Sequence, residues 1–254
     1  MKVLRIKLRT SLLKYLLLSL AILLSSCMVL PNIEKGIQKK KKLKKIDAAF
    51  THSNGAIYFF SGVNYIKWEP GKGVVKTKDN RTKRVTAKDG WKMVYWPFNV
   101  SLNAAINYKK KAYFINGNQF IEYKSSSKSI KQYKLGKSKF LRGLDYNFSK
   151  GIDAIIQHPK SKLFYAFKGN QYYCFKDNGI LPPVKFDSGI IGVNAWKSLP
   201  KFFRTNIDAA LVHPKSKNIY FFKGDKYTVW KPGKGVVNPA IRKRNIDGWR
   251  GVVF

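Results

Sequence analysis

Three histidines offer the most chemistry in this chain. His52, His158 and His213 each stand five residues after an aspartate, at Asp47, Asp153 and Asp208, and Tyr108 fills the same place after Asn103. An imidazole nitrogen can ligate heme iron, so heme binding by His52, His158 and His213 is one expectation. The other is that each histidine is a turn residue copied with its surroundings, since Pro159 and Pro214 directly follow two of them. The two cysteines are Cys27 and Cys174. Cys174 follows Tyr173 in an aromatic run, where a small buried side chain is expected rather than a nucleophile. The sequence contains no His-Glu-x-x-His pair, Ser-His-Asp arrangement, phosphate-cradling glycine loop or Cys-x-x-Cys pair. No enzyme is expected.

The surroundings of these residues recur as whole phrases. "IDAAFTHSNGAIYFFSGVNYIKWEPGKGV" from Ile46 to Val74 returns as "IDAALVHPKSKNIYFFKGDKYTVWKPGKGV" from Ile207 to Val236. Weaker copies begin at Leu102 and Ile152, so the anchors Asp47, Asn103, Asp153 and Asp208 are 56, 50 and 55 residues apart. Four repeats thus span about 46–101, 102–151, 152–206 and 207–254.

Each repeat reads as strands. A short Asp-Ala-Ala segment precedes a polar turn, an aromatic run, and a glycine at Gly62, Gly117, Gly169 or Gly224. That glycine permits the positive φ of a tight hairpin. Tyr65, Phe120, Tyr172 and Tyr227 come next, placed to pack against the preceding strand. Trp91, Trp196 and Trp249 mark the ends of three repeats, and the segment Phe140–Leu144 takes that place in the second. One such unit cannot bury both faces of its sheet, whereas four around an axis cover one another. Crowding at the axis explains the alanines at 48–49, 104–105, 154 and 209–210. The fold predicted is an all-β four-bladed β-propeller with short helical segments between blades.

"IDAAF", "YFFSG", "YFFKGDKY" and the recurrent "GW" resemble hemopexin repeats over all of 46–254. The "PGKG" segments at Pro70–Gly73 and Pro232–Gly235 make the chain most similar to the albumin-2 and bacterial single-domain branch. This resemblance implies an axial channel holding calcium, sodium or chloride. Its ligands would be main-chain carbonyls at Asp47, Asn103, Asp153 and Asp208, and at Ala49, Ala105, Ile155 and Ala210 two residues on. The alternative reading of the four anchors is structural, as caps at the strand starts. Many animal members close the ring with a disulfide, but here closure must rest on packing. Hemopexin itself grips heme between two propellers, and this chain has one.

The first 26 residues read as a secretory signal: Lys2, Arg5, Lys7 and Arg9 precede an apolar run from Tyr15 to Leu24. Leu24-Ser25-Ser26-Cys27 is similar to a bacterial lipobox, which implies lipidation of Cys27 and an envelope location. Met28 in place of Asp points to the outer membrane, with secretion as the alternative. Residues 28–45 form a linker whose lysines extend it by repulsion and can bind anionic headgroups. The whole chain carries 50 basic against 13 acidic residues, a formal +37, which draws it to polyanions. Acidic glycans, proteins and anionic lipid surfaces are the expected partners. Nucleic acid is not, since no binding signature appears. The albumin-2 association with polyamines fits this charge poorly.

Overall fold

The computed structural model describes residues 44–75, 83–85, 90–124, 126–127, 129–137, 141–177 and 184–254. The signal segment, Cys27, most of the linker and Phe140 lie outside them. Each repeat folds into one antiparallel sheet whose strands follow chain order outward from the axis. Blade 1 holds β1 (Ala48–Thr51), β2 (Ile57–Ser61), β3 (Asn64–Glu69) and β4 (Gly73–Val74), with β5 (Lys83–Arg84) paired to β3. Blade 2 holds β6 (Ala104–Tyr108), β7 (Lys111–Asn116), β8 (Gln119–Lys124) and β9 (Ser129–Lys134). Blade 3 holds β10 (Ala154–Gln157), β11 (Phe164–Lys168), β12 (Gln171–Lys176) and β13 (Val184–Ile190). Blade 4 holds β14 (Ala209–Val212), β15 (Ile219–Lys223), β16 (Lys226–Lys231) and β17 (Gly235–Val236), with β18 (Arg242–Lys243) paired to β16. Contacts of β1 with β6 and β14, and of β10 with the same two strands, close the inner strands into a ring. The fold is an all-β four-bladed β-propeller. Its described helical structure is one short helix, α1 (Tyr146–Ser149), and a 3-10 turn at Lys201–Phe203.

The hairpin glycines explain how each blade is started. Gly62, Gly117, Gly169 and Gly224 have φ of +54 to +58, while the residue after each keeps a negative φ. That is the type II′ pattern, in which a side chain at the first position would be strained. A turn N–H at this position lies outside the ladder and needs an acceptor. Asp47 Oδ2 accepts from Gly62 N at 2.7 Å, Asn103 Oδ1 from Gly117 N at 2.6 Å, Asp153 Oδ2 from Gly169 N at 2.7 Å, and Asp208 Oδ2 from Gly224 N at 2.6 Å. Each anchor therefore ties the start of its innermost strand to the hairpin between its second and third strands. The aromatic residues after the turns pair across the hairpin as expected: Tyr65 with Phe60, Phe120 with Ile115, Tyr172 with Phe167, and Tyr227 with Phe222.

Blades meet through aromatic layers wedged by the terminal tryptophans. Trp91 lies 5.0 Å from Phe114 of blade 2, Trp196 lies 5.4 Å from Phe221 of blade 4, and Trp249 lies 5.2 Å from Phe59 of blade 1. Leu141, fully buried, takes the corresponding place after blade 2. Ring closure is thus a repeat of the ordinary blade contact, with additions. Thr51 Oγ1 donates to Val212 O at 2.5 Å, and the Arg244 guanidinium donates through Nη2 to Lys44 O. Arg244 is only 1% exposed, its Nε and Nη1 find no partner among the described residues, and burial pulls its pKa down to about 10. Cys174 is a buried free thiol whose pKa burial raises to about 11, so it is a core residue and not a nucleophile.

Two stability measurements follow from these contacts. Asp208→Ala removes the acceptor of the Gly224 N–H and is expected to cost about 1.5–3 kcal/mol in urea unfolding, while Asp208→Asn, the residue type blade 2 already uses, loses far less. The turn between β6 and β7 places two non-glycine residues at positive φ, Lys109 at 48° and Lys110 at 61°. Lys109 is engaged with Asp177 at 3.1 Å. Lys110→Gly relieves the second strained position and should stabilise the protein by about 1 kcal/mol in the same assay.

Candidate functional site

The innermost strands position a cavity on the axis. His52 N donates to Ala56 O, His158 N to Leu163 O and His213 N to Asn218 O, each toward the second strand of its blade. In an antiparallel ladder the backbone groups of alternate residues turn the same way. The carbonyls and N–H groups of Ala49, Ala105, Ile155 and Ala210 therefore turn toward the axis. The next layer along is Thr51, Asn107, Gln157 and Val212, and the bond from Thr51 to Val212 O is made within it. A cavity of about 590 Å³ opens where these strands end, lined by both layers and by the turns that carry His52, His213, Lys162 and Lys217. Asn107 Nδ2 is buried there without a partner among the described residues.

The side chains of Asp47, Asn103, Asp153 and Asp208 do not line this cavity. They belong to the opposite end, engaged with the hairpin glycines, where Lys45 Nζ also lies 3.7 Å from Asp47 and 3.9 Å from Asp208. Among the described residues no set of three or more His, Cys, Asp or Glu could hold a metal. What does suit a hard cation is the carbonyl layer at Ala49, Ala105, Ile155 and Ala210, a ring of neutral oxygens. The N–H groups of the same layer suit chloride instead.

His52 and His213 line the axial cavity and His158 does not. His158 Nδ1 accepts from Ser161 N at 3.2 Å, His213 Nδ1 from Ser216 N at 3.2 Å, and His52 Nδ1 from Asn54 N at 3.3 Å. Each ring closes its own turn and packs on aromatics: His52 on Trp91, His158 on Tyr165, and His213 on Trp68 and Trp249. The turn-residue reading describes this geometry, in which each Nδ1 is already engaged within its own turn.

A second cleft, missed in the sequence, continues outward from the axial mouth. It encloses about 440 Å³ between blades 3 and 4 and shares Pro159 and Lys217 with the axial cavity. Lys160, Lys231 and Lys234 complete its charge, and no acidic residue is among its described lining. The equivalent cleft between blades 4 and 1 is lined by Glu69, in the position that Lys231 holds in the repeated "PGKG" phrase. Glu69 binds Lys67 at 2.7 Å and Lys72 at 3.2 Å, so that this cleft, unlike the other, carries a carboxylate. The signal was one letter, "WKPGKG" against "WEPGKG", and only the adjacency of the two turns gives it meaning.

No family model matches the chain. Albumin-2 of Lathyrus sativus is 29% identical over 222 residues, covering 82% of this chain and 92% of that protein. Human matrix metalloproteinase-19 is 33% identical over 96 residues, 38% of this chain, and the match spans only 16% of the enzyme. Among solved structures, the hemopexin fold protein CP4 from cow pea superposes with a TM-score of 0.62 at 23% identity, over 81% of this chain and 96% of that one. The fold is that of the hemopexin-type propellers. A plant albumin from Cicer arietinum showing hemagglutination gives 0.64 at 22% identity, over 81% of this chain and 96% of the other. A Cicer arietinum lectin with two metal-binding sites gives 0.62 at 22% identity, over 82% and 97%. The chain is thus similar to the plant albumins along nearly their whole length, and to one segment of the metalloproteinase.

The histidine turns make stability depend on pH. Burial lowers the pKa of His158 below the ordinary histidine value, helped by Lys160 and Lys162, and burial lowers His213 likewise with Lys215 and Lys217. The unfolded chain then takes up protons more readily than the folded one. The contribution is complete above pH about 6.5 and is lost as pH falls through the lower folded values. A thermal unfolding series should show Tm dropping below pH about 6.5, and the His158→Asn, His213→Asn double variant should flatten that part of the curve.

Proposed function

We propose that this chain is an exported, non-enzymatic binding module, lipid-anchored at Cys27 in the cell envelope, whose propeller captures acidic glycans. The observation that carries the reading is the lysine track that leaves the axial mouth at Lys217 and runs into the cleft of Lys160, Lys231 and Lys234. Four cations without a carboxylate among them match a chain of uronate or sulfate groups. The unpartnered Asn107 amide supplies a neutral donor at the inner end of the track. Two proteins of the same fold lend support: one shows hemagglutination and another is described as a lectin with two metal-binding sites. The axial carbonyl layer is where this chain would hold calcium or sodium, stiffening the inner strands beneath the track. An acidic protein surface would use the same lysines.

Binding of a sulfated polysaccharide tests the proposal. Lys231→Glu installs the residue that blade 1 already carries in the same fold position, so it should leave Tm unchanged. It should weaken binding on the order of tenfold at low salt and flatten the salt dependence. Binding that ignores both salt and Lys231→Glu would overturn the glycan reading. A saturable small ligand held in the axial cavity with no salt dependence would favour a carrier instead.

A further inference from the structure

The end of the propeller opposite the cavity mouth carries a surface that the binding track does not use. Each of the four linking segments has a strongly exposed apolar side chain, and Met93, Val63 and Phe202 are exposed as well. Trp96 is 74% exposed, Tyr146 79%, Val193 60% and Ile246 61%. All four belong to segments held against the glycine-hairpin end. Asn116 Nδ2 donates to Ser101 O, Lys168 Nζ to Asn147 O, and Ile191 N to Asn170 O, while Arg244 N donates to Asp225 O.

Their positions follow the repeat. Trp96 and Tyr146 each sit two residues before a buried phenylalanine, Phe98 or Phe148, and two after a buried aliphatic residue, Val94 or Leu144. Val193 and Ile246 each precede a wedge tryptophan by three residues. Equivalent positions in a propeller lie at equal height along the axis, so Trp96 is level with Tyr146 and Val193 with Ile246, and the four are distributed over the four blades rather than gathered in one central patch. Protein hot spots cluster centrally in a desolvated pocket, which this arrangement does not provide.

The charge of this end is equally marked. Segments 91–101, 141–151, 196–206 and 241–254 hold ten Lys and Arg, of which Arg244 is buried, against two Asp, and the carboxylates of Asp47, Asp153 and Asp208 lie at the same end. Lys150 Nζ lies 4.7 Å from the Tyr146 ring centroid, and Lys223 and Lys226 lie 5.0 and 4.9 Å from that of Phe202. Aromatic side chains beside lysines are the composition that settles at a membrane interface and is attracted by anionic lipids. The linker arrives here too: Lys44 is bound by Arg244, and Lys45 lies between Asp47 and Asp208. Residues 39–45 contain six lysines.

We infer that this end is a membrane-docking face that lies on an anionic phospholipid bilayer, with Trp96 and Tyr146 at the headgroup level and the lysine track facing away. The inference takes from the proposed anchor only the choice of lipid over protein, and it does not depend on what the track binds. The full chain bound to vesicles of phosphatidylethanolamine and phosphatidylglycerol tests it. Brominated phospholipid should quench the wild-type tryptophan fluorescence more than that of Trp96→Phe. Water-soluble amine labelling should be reduced at Lys150 and Lys201 but not at Lys160 and Lys231. The Trp96→Ser, Tyr146→Ser double variant, altered only at exposed positions, should keep its Tm and remain vesicle-bound while regaining labelling at Lys150. Equal quenching of wild type and Trp96→Phe, or equal labelling at both ends on vesicles, would mean that the propeller stands off the bilayer on its linker, and would overturn the inference. Failure of polysaccharide binding at Lys231 leaves these readouts unchanged, so the two readings fail separately.

Discussion

The bond from the anchor side chain to the hairpin glycine N–H is the constraint from which the rest of the propeller follows. It joins the innermost strand, which is short and small-sided, to the second and third strands, which carry the aromatic mass. A type II′ turn needs glycine at its first position, and that glycine exposes an N–H the ladder cannot satisfy. Aspartate or asparagine at the strand start is the nearest acceptor. One bond therefore fixes the register of three strands, and its fourfold repetition places the four inner strands at a common height around the axis. The same bond keeps the carboxylates away from the cavity. The axis is left to backbone oxygens and amides, and its chemistry is neutral.

Closure of the ring asks for no covalent bond because the last interface is built like the others. Trp249 reaches Phe59 as Trp91 reaches Phe114. The difference lies in the added polar contacts: the guanidinium of Arg244 on Lys44 O, and Lys45 near two aspartates. A buried guanidinium with only part of its hydrogen-bonding capacity used is a costly way to gain stability. Its consequence is positional. It holds Lys44, the first described residue, at the hairpin end.

The repeat made much of this legible from sequence. Glycine slots, the aromatic after each turn, the wedge tryptophans and the alanines at the axis all recur, and each recurrence reports a local steric requirement. The anchor residues were legible as a pattern, yet their two readings could not be separated, because a main-chain carbonyl aimed at the axis leaves no mark on the side-chain letter, whereas the cap is made by the side chain itself. The histidines were similar. Their spacing fitted a ligand set, but each Nδ1 closes a turn three residues or fewer away, a local role that outcompetes a distant one. The short outer strands β4 and β17 were hidden because two residues carry no periodicity. The basic cleft was hidden for a different reason: it depends on which turns of adjacent blades meet, and a sequence read one repeat at a time does not pair them.

Departures from the repeat are what make the two ends of the molecule differ. A perfectly repeated propeller would present the same charge in every inter-blade cleft and the same residue at every linking segment. This one places Lys231 where its partner blade has Glu69, and so leaves one cleft cationic and gives another a carboxylate. At the other end all four linking segments expose apolar side chains. A planar partner such as a bilayer meets all four blades alike and favours symmetry, whereas a glycan chain occupies one groove and favours its loss. The two ends of the axis differ in that respect, and the anchor bonds, by fixing which end is which in every blade, keep the two surfaces apart.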